Sequence, residues 1–143
     1  MTDQAWKADE PQTPPTDSAN KPEAWKEYKR DKAIRFVLLG YSVQWAPDIS
    51  NHMEVYTPQR DDAAQPGMRA SVLFAADPSR VGINGGRILK LHMQIRQVGR
   101  DFRGRPIVSW ETVYYYDNGP DVNKLGEHPL AQKLFAAVIA ELN

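Results

Sequence analysis

The sequence predicts an α+β fold: an antiparallel β-sheet of four or five strands, a C-terminal amphipathic helix packed on one face, and another helix near the N-terminus. Two patterns carry this reading. Leu89, Leu91, Met93 and Ile95 alternate with Lys90, His92, Gln94 and Arg96, the period of a strand with one buried and one wet face. Leu130, Leu134, Val138 and Leu142 recur every fourth residue, with Phe135 and Ile139 widening the stripe. A helix so patterned must lay its apolar face on a sheet.

The elements follow in chain order. Residues 1–21 read as a disordered tail: Pro11, Pro14 and Pro15 stand among polar residues, and Trp6 is the lone aromatic side chain. Such a stretch buries too little surface to offset the entropy of ordering it. Residues 22–143 then form a single domain. Pro22 suits a first helical turn, and Glu23 to Lys32 runs from acid to base as a helix dipole favours. Trp25 and Tyr28, three apart, share a face. Ile34 to Leu39 either continues that helix to a Gly40 cap or forms a buried strand; the apolar run is too short for periodicity to decide.

From Tyr41 the chain reads as β. Met53 to Thr57 is a short strand ended by Pro58, Gln59 to Gly67 a loop, and Ala70 to Ala76 a second strand. Gly82-Ile83-Asn84-Gly85-Gly86 is a turn in which Asn and Gly take positive φ cheaply. The alternating strand follows, and a loop from Gly99 to Arg105 joins it to Ile107–Tyr116 as a hairpin. With Leu89 to Ile95 facing the core, Val108, Trp110, Thr112 and Tyr114 should face it too, because the opposite register would bury Glu111 and Ser109. Asp117-Asn118-Gly119-Pro120-Asp121 closes the strand in a turn, and Pro129 opens the last helix. A hairpin of this shape also brings Arg87 beside Asp117, as a candidate ion pair.

The run Gly82-Ile83-Asn84-Gly85-Gly86-Arg87-Ile88, then Lys90-Leu91, and the later Tyr116-Asp117-Asn118-Gly119-Pro120-Asp121 before an apolar helix together resemble a family of small uncharacterised domains found mainly in phages and other mobile elements. Its members carry a G-I-(N/D)-G-G-R-I-x-K-L run and a Y-D-x-G-x-D turn. This chain departs in having Pro120 where an aromatic is common, in a longer strand pair with an Arg-rich loop, and in N-terminal residues without a counterpart. The resemblance implies the fold and a mobile-element origin; it implies no activity.

Composition removes several functions. Eighteen basic and eighteen acidic side chains balance, so no global charge favours a polyanion or a membrane. The absence of cysteine excludes disulfides, thiolate catalysis and Cys-held metals. The opening Met1-Thr2-Asp3-Gln4 leads to no apolar leader, and no apolar run, Phe36 to Leu39 included, approaches the roughly 20 residues that span a bilayer. Cytoplasmic residence without membrane contact is the expectation. No cofactor is expected, since the glycine run lacks the G-K-[ST] or G-x-G-x-x-G pattern and precedes a strand rather than a helix.

Local charge says more. Arg87, Lys90, Arg96, Arg100, Arg103 and Arg105 lie close along the hairpin, with Asp101 the one acid between Arg80 and Arg105. Arginine suits phosphate or carboxylate contacts, a two-stranded ribbon fits a major groove, and a sheet face bearing His92 and Tyr115 could stack single-stranded bases. Gly82, Asn84, Gly85 and Gly86, like Asp117, Gly119 and Asp121, read as turn residues. The stretch from Asp117 and Asp121 to Glu127 and His128 could hold a divalent cation but matches no metal-loop spacing, and His52 reads as a solvated polar residue. The expected function is therefore non-enzymatic: an accessory protein of a phage or mobile element that binds a macromolecular partner, a protein first, through the sheet edge or the Arg-rich hairpin. The alternatives are DNA or RNA binding by that hairpin, and a small metal-dependent enzyme built on Asp117 to His128.

Overall fold

The computed structural model describes residues 22–46, 51–57 and 67–143. The expected tail, with Trp6, and nearly all of the Gln59–Gly67 loop lie outside the described residues. The described chain forms helix α1 (Pro22–Leu38), strands β1 (Ser42–Trp45), β2 (His52–Tyr56), β3 (Met68–Phe74), β4 (Ile88–Arg100), β5 (Pro106–Asp117) and β6 (Pro120–Asn123), and helix α2 (Pro129–Leu142). The strands make one antiparallel meander in the order β1-β2-β3-β4-β5-β6. Six strands replace the four or five expected. The residues after Asn118-Gly119, read as the end of a turn, pair back on β5 as β6, and Pro120 is tolerated because β6 is an edge strand.

The helical alternative holds for residues 34–38. Gly40 sits at φ +96°, and Tyr41 N–H donates to Phe36 O at 2.9 Å, the glycine-closed helix end that satisfies the last carbonyls. Trp25, Tyr28, Lys32 and Phe36 are buried, whereas Ile34, Val37 and Leu38 point away from the core and are exposed. A straight helix lays down one face, so an unbroken apolar run cannot all be buried.

Both helices cover the same face of the sheet. On the α1 side Tyr28 packs against Trp25, Trp45 and Phe74, with ring centroids 5.5, 6.3 and 6.2 Å apart; on the α2 side Phe135 packs 4.9 Å from Tyr114. The helices are joined by charge. The fully buried Lys32 ammonium donates to the Glu141 backbone carbonyl at 2.6 Å and lies 3.3 Å from the Glu141 carboxylate, to which Arg35 Nε also donates. Burial pulls Lys32 below its ordinary pKa, and Glu141 pulls it back.

The α2 stripe differs at its start. Leu130 is exposed and Ala131 takes the inward place, beside Leu134, Val138, Glu141 and Leu142. Steps of four drift about 40° per step around a 3.6-residue helix, so a stripe seated at Leu134 and Val138 has rotated off the sheet at Leu130.

Two irregularities reset the faces of the hairpin. Leu73 pairs with Lys90 but Phe74 with Ile88, leaving Leu89 as an extra residue, so Ile88 is buried and Leu89 only half-buried. Met93 pairs with Tyr114 but Gln94 with Thr112, leaving Val113 as an extra, fully buried residue. The expected inward set of Val108, Trp110, Thr112 and Tyr114 is therefore corrected: Tyr114 faces the helices, while the other three face away. Glu111 comes to the helix side opposite Ile95 but stays half-exposed, where Gln97 Nε2 and Lys124 Nζ donate to it. The bulge turns the face without burying the acid.

The glycine run is a docking piece for α2. Ile83–Gly85 forms a single 3-10 turn with Asn84 at φ +52° and Gly85 at φ +70°. Against it lies Asn143, whose Nδ2 donates to Ile83 O at 2.9 Å and whose Oδ1 accepts from Ile88 N–H at 2.9 Å. A Cβ on Gly82 would lie 2.0 Å from Gly86 O, and one on Gly86 would lie 2.3 Å from Asn143 Oδ1.

Two stability tests follow from this packing. Leu134→Ala removes a fully buried α2 side chain and should cost about 2–5 kcal/mol in denaturant unfolding; a cost below about 1 kcal/mol would mean α2 is peripheral. Gly82→Ala and Gly86→Ala should each cost about 1–3 kcal/mol. In an Asn143→Ala background the Gly86→Ala cost should shrink and the Gly82→Ala cost should not, because only the former clash is with the Asn143 side chain. Equal changes in both would remove Asn143 as the neighbour that excludes a side chain at 86.

Candidate binding surface

Among the described residues no element covers the second face of the sheet. Alternate residues of β4 line it in a file, Lys90, His92, Gln94, Arg96, Val98 and Arg100, set opposite Asp117, Tyr115, Thr112, Trp110, Val108 and Pro106 of β5. On β3 the same face carries Arg69, Ser71 and Leu73, and on β2 His52, Glu54 and Tyr56.

At one end of this face lies a cleft of about 320 Å³ lined chiefly by His52, Ser71, Leu73, Lys90, His92 and Tyr115. The His52 Nε2 and Ser71 Oγ share a hydrogen bond of 2.7 Å, and His92 Nε2 and Thr112 Oγ1 one of 2.8 Å. The Tyr115 ring stands edge-on to His92 with centroids 5.1 Å apart. His52 is thus bound into the sheet rather than simply solvated, a correction to the sequence reading. Partial burial, and then the Arg69 charge, lower the His92 pKa below its ordinary 6.5. In the middle of the face Arg69 lies over the Trp110 ring, 4.0 Å from its centroid, and its Nε donates to Gln94 Oε1 at 2.8 Å. This makes a cationic, aromatic platform.

At the other end β4 and β5 outrun their neighbours. Their last partners are Ile95, opposite Met68 of β3, and Tyr114, opposite Asn123 of β6. Gln97–Ser109 therefore projects as a two-stranded arm with no third strand among the described residues. Val98, Ile107 and Val108 are about half exposed and Phe102, at the tip, is 92% exposed. The tip is nonetheless ordered by Asp101, whose Oδ1 accepts from the Arg103 and Arg105 N–H groups at 2.8 and 2.9 Å, with Gly104 at φ +78°.

The basic residues singled out in the sequence fall in three places. Lys90, Arg96 and Arg100 share the open face. Arg100 also donates to Gly104 O, Arg105 pairs with Asp101 at 3.2 Å, and the Arg103 guanidinium lies 5.3 Å from the Phe102 ring. Arg87 is elsewhere: its Nε donates to Ala76 O at 3.0 Å, and its charge reaches the buried Tyr28 phenol on the helix side, where burial raises the pKa and Arg87 partly offsets it. The Arg87–Asp117 pair is also corrected, since Asp117 stands opposite Lys90 and lies 3.7 Å from its ammonium. Gly82 to Gly86 serve α2 docking, and Asn118-Gly119 turn the chain into β6 with Asp121 as an extra residue in that pairing. Asp117, Asp121, Glu127 and His128 do not converge: among the described residues no three His, Cys, Asp or Glu side chains are grouped to share a cation.

Sequence reasoning missed Arg69, Ser71, Tyr56 and Trp110 as members of this surface. The β4 alternation put His92 and Arg96 on the wet face, but placing the others needs the strand register. Residues 59–143 match one family model, described as Domain of unknown function (DUF7678). No curated protein and no solved structure matches the chain. Among the described residues no helix is long and apolar enough to cross a membrane.

The depressed His92 pKa has a sign that can be checked. Below about 6.5 the unfolded chain takes up a proton that folded His92 resists, so stability falls as pH drops through the window between 6.5 and the lower folded value. His92→Gln should therefore lose less melting temperature than the wild type between about pH 7.5 and pH 5. Parallel losses in the two proteins would show that His92 titrates as freely folded as unfolded.

Proposed function

The chain belongs to the DUF7678 family, and on that premise we propose a non-enzymatic accessory protein of a phage or another mobile element that binds a macromolecular partner through the β4–β5 arm. One observation carries this. The arm holds Val98, Phe102, Ile107 and Val108 in solvent on a ribbon that nothing described in its own fold packs against, and its tip loop is fixed by the Asp101 bonds. Exposed apolar side chains on an ordered support, ringed by Arg100, Arg103 and Arg105, suit a partner that buries them and meets the charge. A protein is the first partner this surface fits. The file of cations from Lys90 to Arg100 favours nucleic acid as a second reading. The metal-enzyme alternative gains nothing from the geometry, because its carboxylates are dispersed and Asp117 is engaged by Lys90.

Site-specific photo-cross-linking in host extract tests the arm. A photoreactive residue at Val98 or Phe102 should give discrete adducts, and one at the exposed Lys133 of α2 should not. Excess unlabelled wild type should suppress them, whereas a variant with Val98–Val108 replaced by Asn-Gly should not. Adducts no different from those at Lys133, or suppression by the shortened variant, would refute binding through the arm.

A further inference from the structure

We propose that the uncovered sheet face is a track for single-stranded nucleic acid, with bases seated on Tyr115 at the cleft and on the Arg69–Trp110 platform, and phosphates met by Lys90, Arg96 and Arg100. This rests on the reading of the chain as a binding module and names the partner's chemistry.

The argument begins with charge. The chain as a whole is neutral, yet this face collects Arg69, Lys90, Arg96 and Arg100 against Glu54 and Asp117. The Lys90–Asp117 contact is long and its lysine more than half exposed, so exchanging that carboxylate for a phosphate costs little. Aromatic rings stand among the cations. The Arg69 guanidinium stacked on Trp110 offers a cationic plane, and bases stack on such planes as they do on aromatic rings. The cleft beside Tyr115 is walled by Leu73 and carries the Ser71, His52 and His92 polar groups, a mix of apolar wall and hydrogen-bonding edge suited to a flat heteroaromatic ring.

Spacing points to a strand rather than a duplex. Lys90 and Arg100 are ten residues apart on one strand, roughly 33 Å at the usual rise per residue, long enough for several nucleotides laid along β4. The face spans four strands, β2 to β5, with Tyr115 and Trp110 set among its cations, whereas a duplex hides its bases from such a surface and would engage the arm alone. A protein interface would instead place apolar groups at its centre and charges at its rim. Here the centre is Arg69, Gln94 and Arg96, and the exposed apolar residues sit at the arm.

Fluorescence anisotropy with labelled oligothymidylate and oligouridylate of about 12 nucleotides, in the range of site sizes for such platforms, tests this at low salt beside a hairpin duplex. Sequence-neutral binding of either single strand in the range of about 1–100 µM is expected, weaker for the duplex. Tyr115→Ala and Trp110→Leu should each weaken it about 5- to 150-fold. Arg96→Gln at a half-buried position and Arg100→Gln at an exposed one should each lower the salt slope by about 0.7. Lys133→Gln on α2 should change nothing, and melting temperatures check that each variant is folded. No binding of either single strand, tighter binding of the duplex, or equal loss with Lys133→Gln would overturn the track. Arm cross-links that resist nuclease and yield to protease, with no oligonucleotide binding, would overturn the track alone; absence of both would overturn the binding module as well.

Discussion

The Glu141 carboxylate is the contact on which the arrangement of layers depends. Lys32 is completely buried, and a buried ammonium is tolerable only with a partner, because removing one member of such a group costs about 3–5 kcal/mol. Glu141 supplies that partner twice, through its side chain and its backbone carbonyl, and accepts Arg35 as well. The donors come from α1, which lies ahead of the residues that match the family, and the acceptor from α2, which lies within them. The N-terminal helix is thereby fixed beside α2 on the face that the family domain already uses for its core. Among the described residues the second face is left uncovered.

That division of faces was partly legible in the sequence. The alternation from Leu89 to Ile95 separates a wet side with His92 and Arg96 from a dry one, and the α2 pattern requires a sheet beneath it. The limits came from local backbone events. A single extra residue at Leu89 and another at Val113 each reverse which side chains face inward, and nothing in the residue types there announces a bulge. Trp110 and Thr112 consequently joined the open face although large and β-branched residues there read as core. His52 and Ser71 meet across two strands 19 residues apart in sequence, a register that composition cannot specify. Nothing in the residue types of Lys32 or Glu141 marks them for burial, since each is buried only by meeting the other across more than a hundred residues.

The charge balance of the chain illustrates why totals inform less than placement. Eighteen cations and eighteen anions sum to nothing, yet the described fold directs some of each into structural roles. Glu141, Lys32 and Arg35 are spent inside, Arg87 serves a carbonyl next to the glycine turn, and Asp101 orders the arm tip with Arg105. What remains outward on β3 and β4 is predominantly positive. Local potential at a surface is set by those outward groups, and screening over about 10 Å keeps distant acids from cancelling it.

The order of the strands also bears on how the chain reaches this state. Among the described residues every strand bonds only to its neighbours in sequence, so the sheet can zip up by successive hairpins whose connections are far shorter than the separations between the helices. The contacts between α1 and α2 span more than a hundred residues, and the Asn143 clasp on the glycine turn spans 55 and 60. These closures carry the larger loop entropy and reward the chain only after the sheet exists. Loop-closure entropy alone therefore favours the meander ahead of the two end contacts, while α1, whose Trp25, Tyr28 and Phe36 lie in the same core as the strands and α2, completes that core rather than standing apart from it.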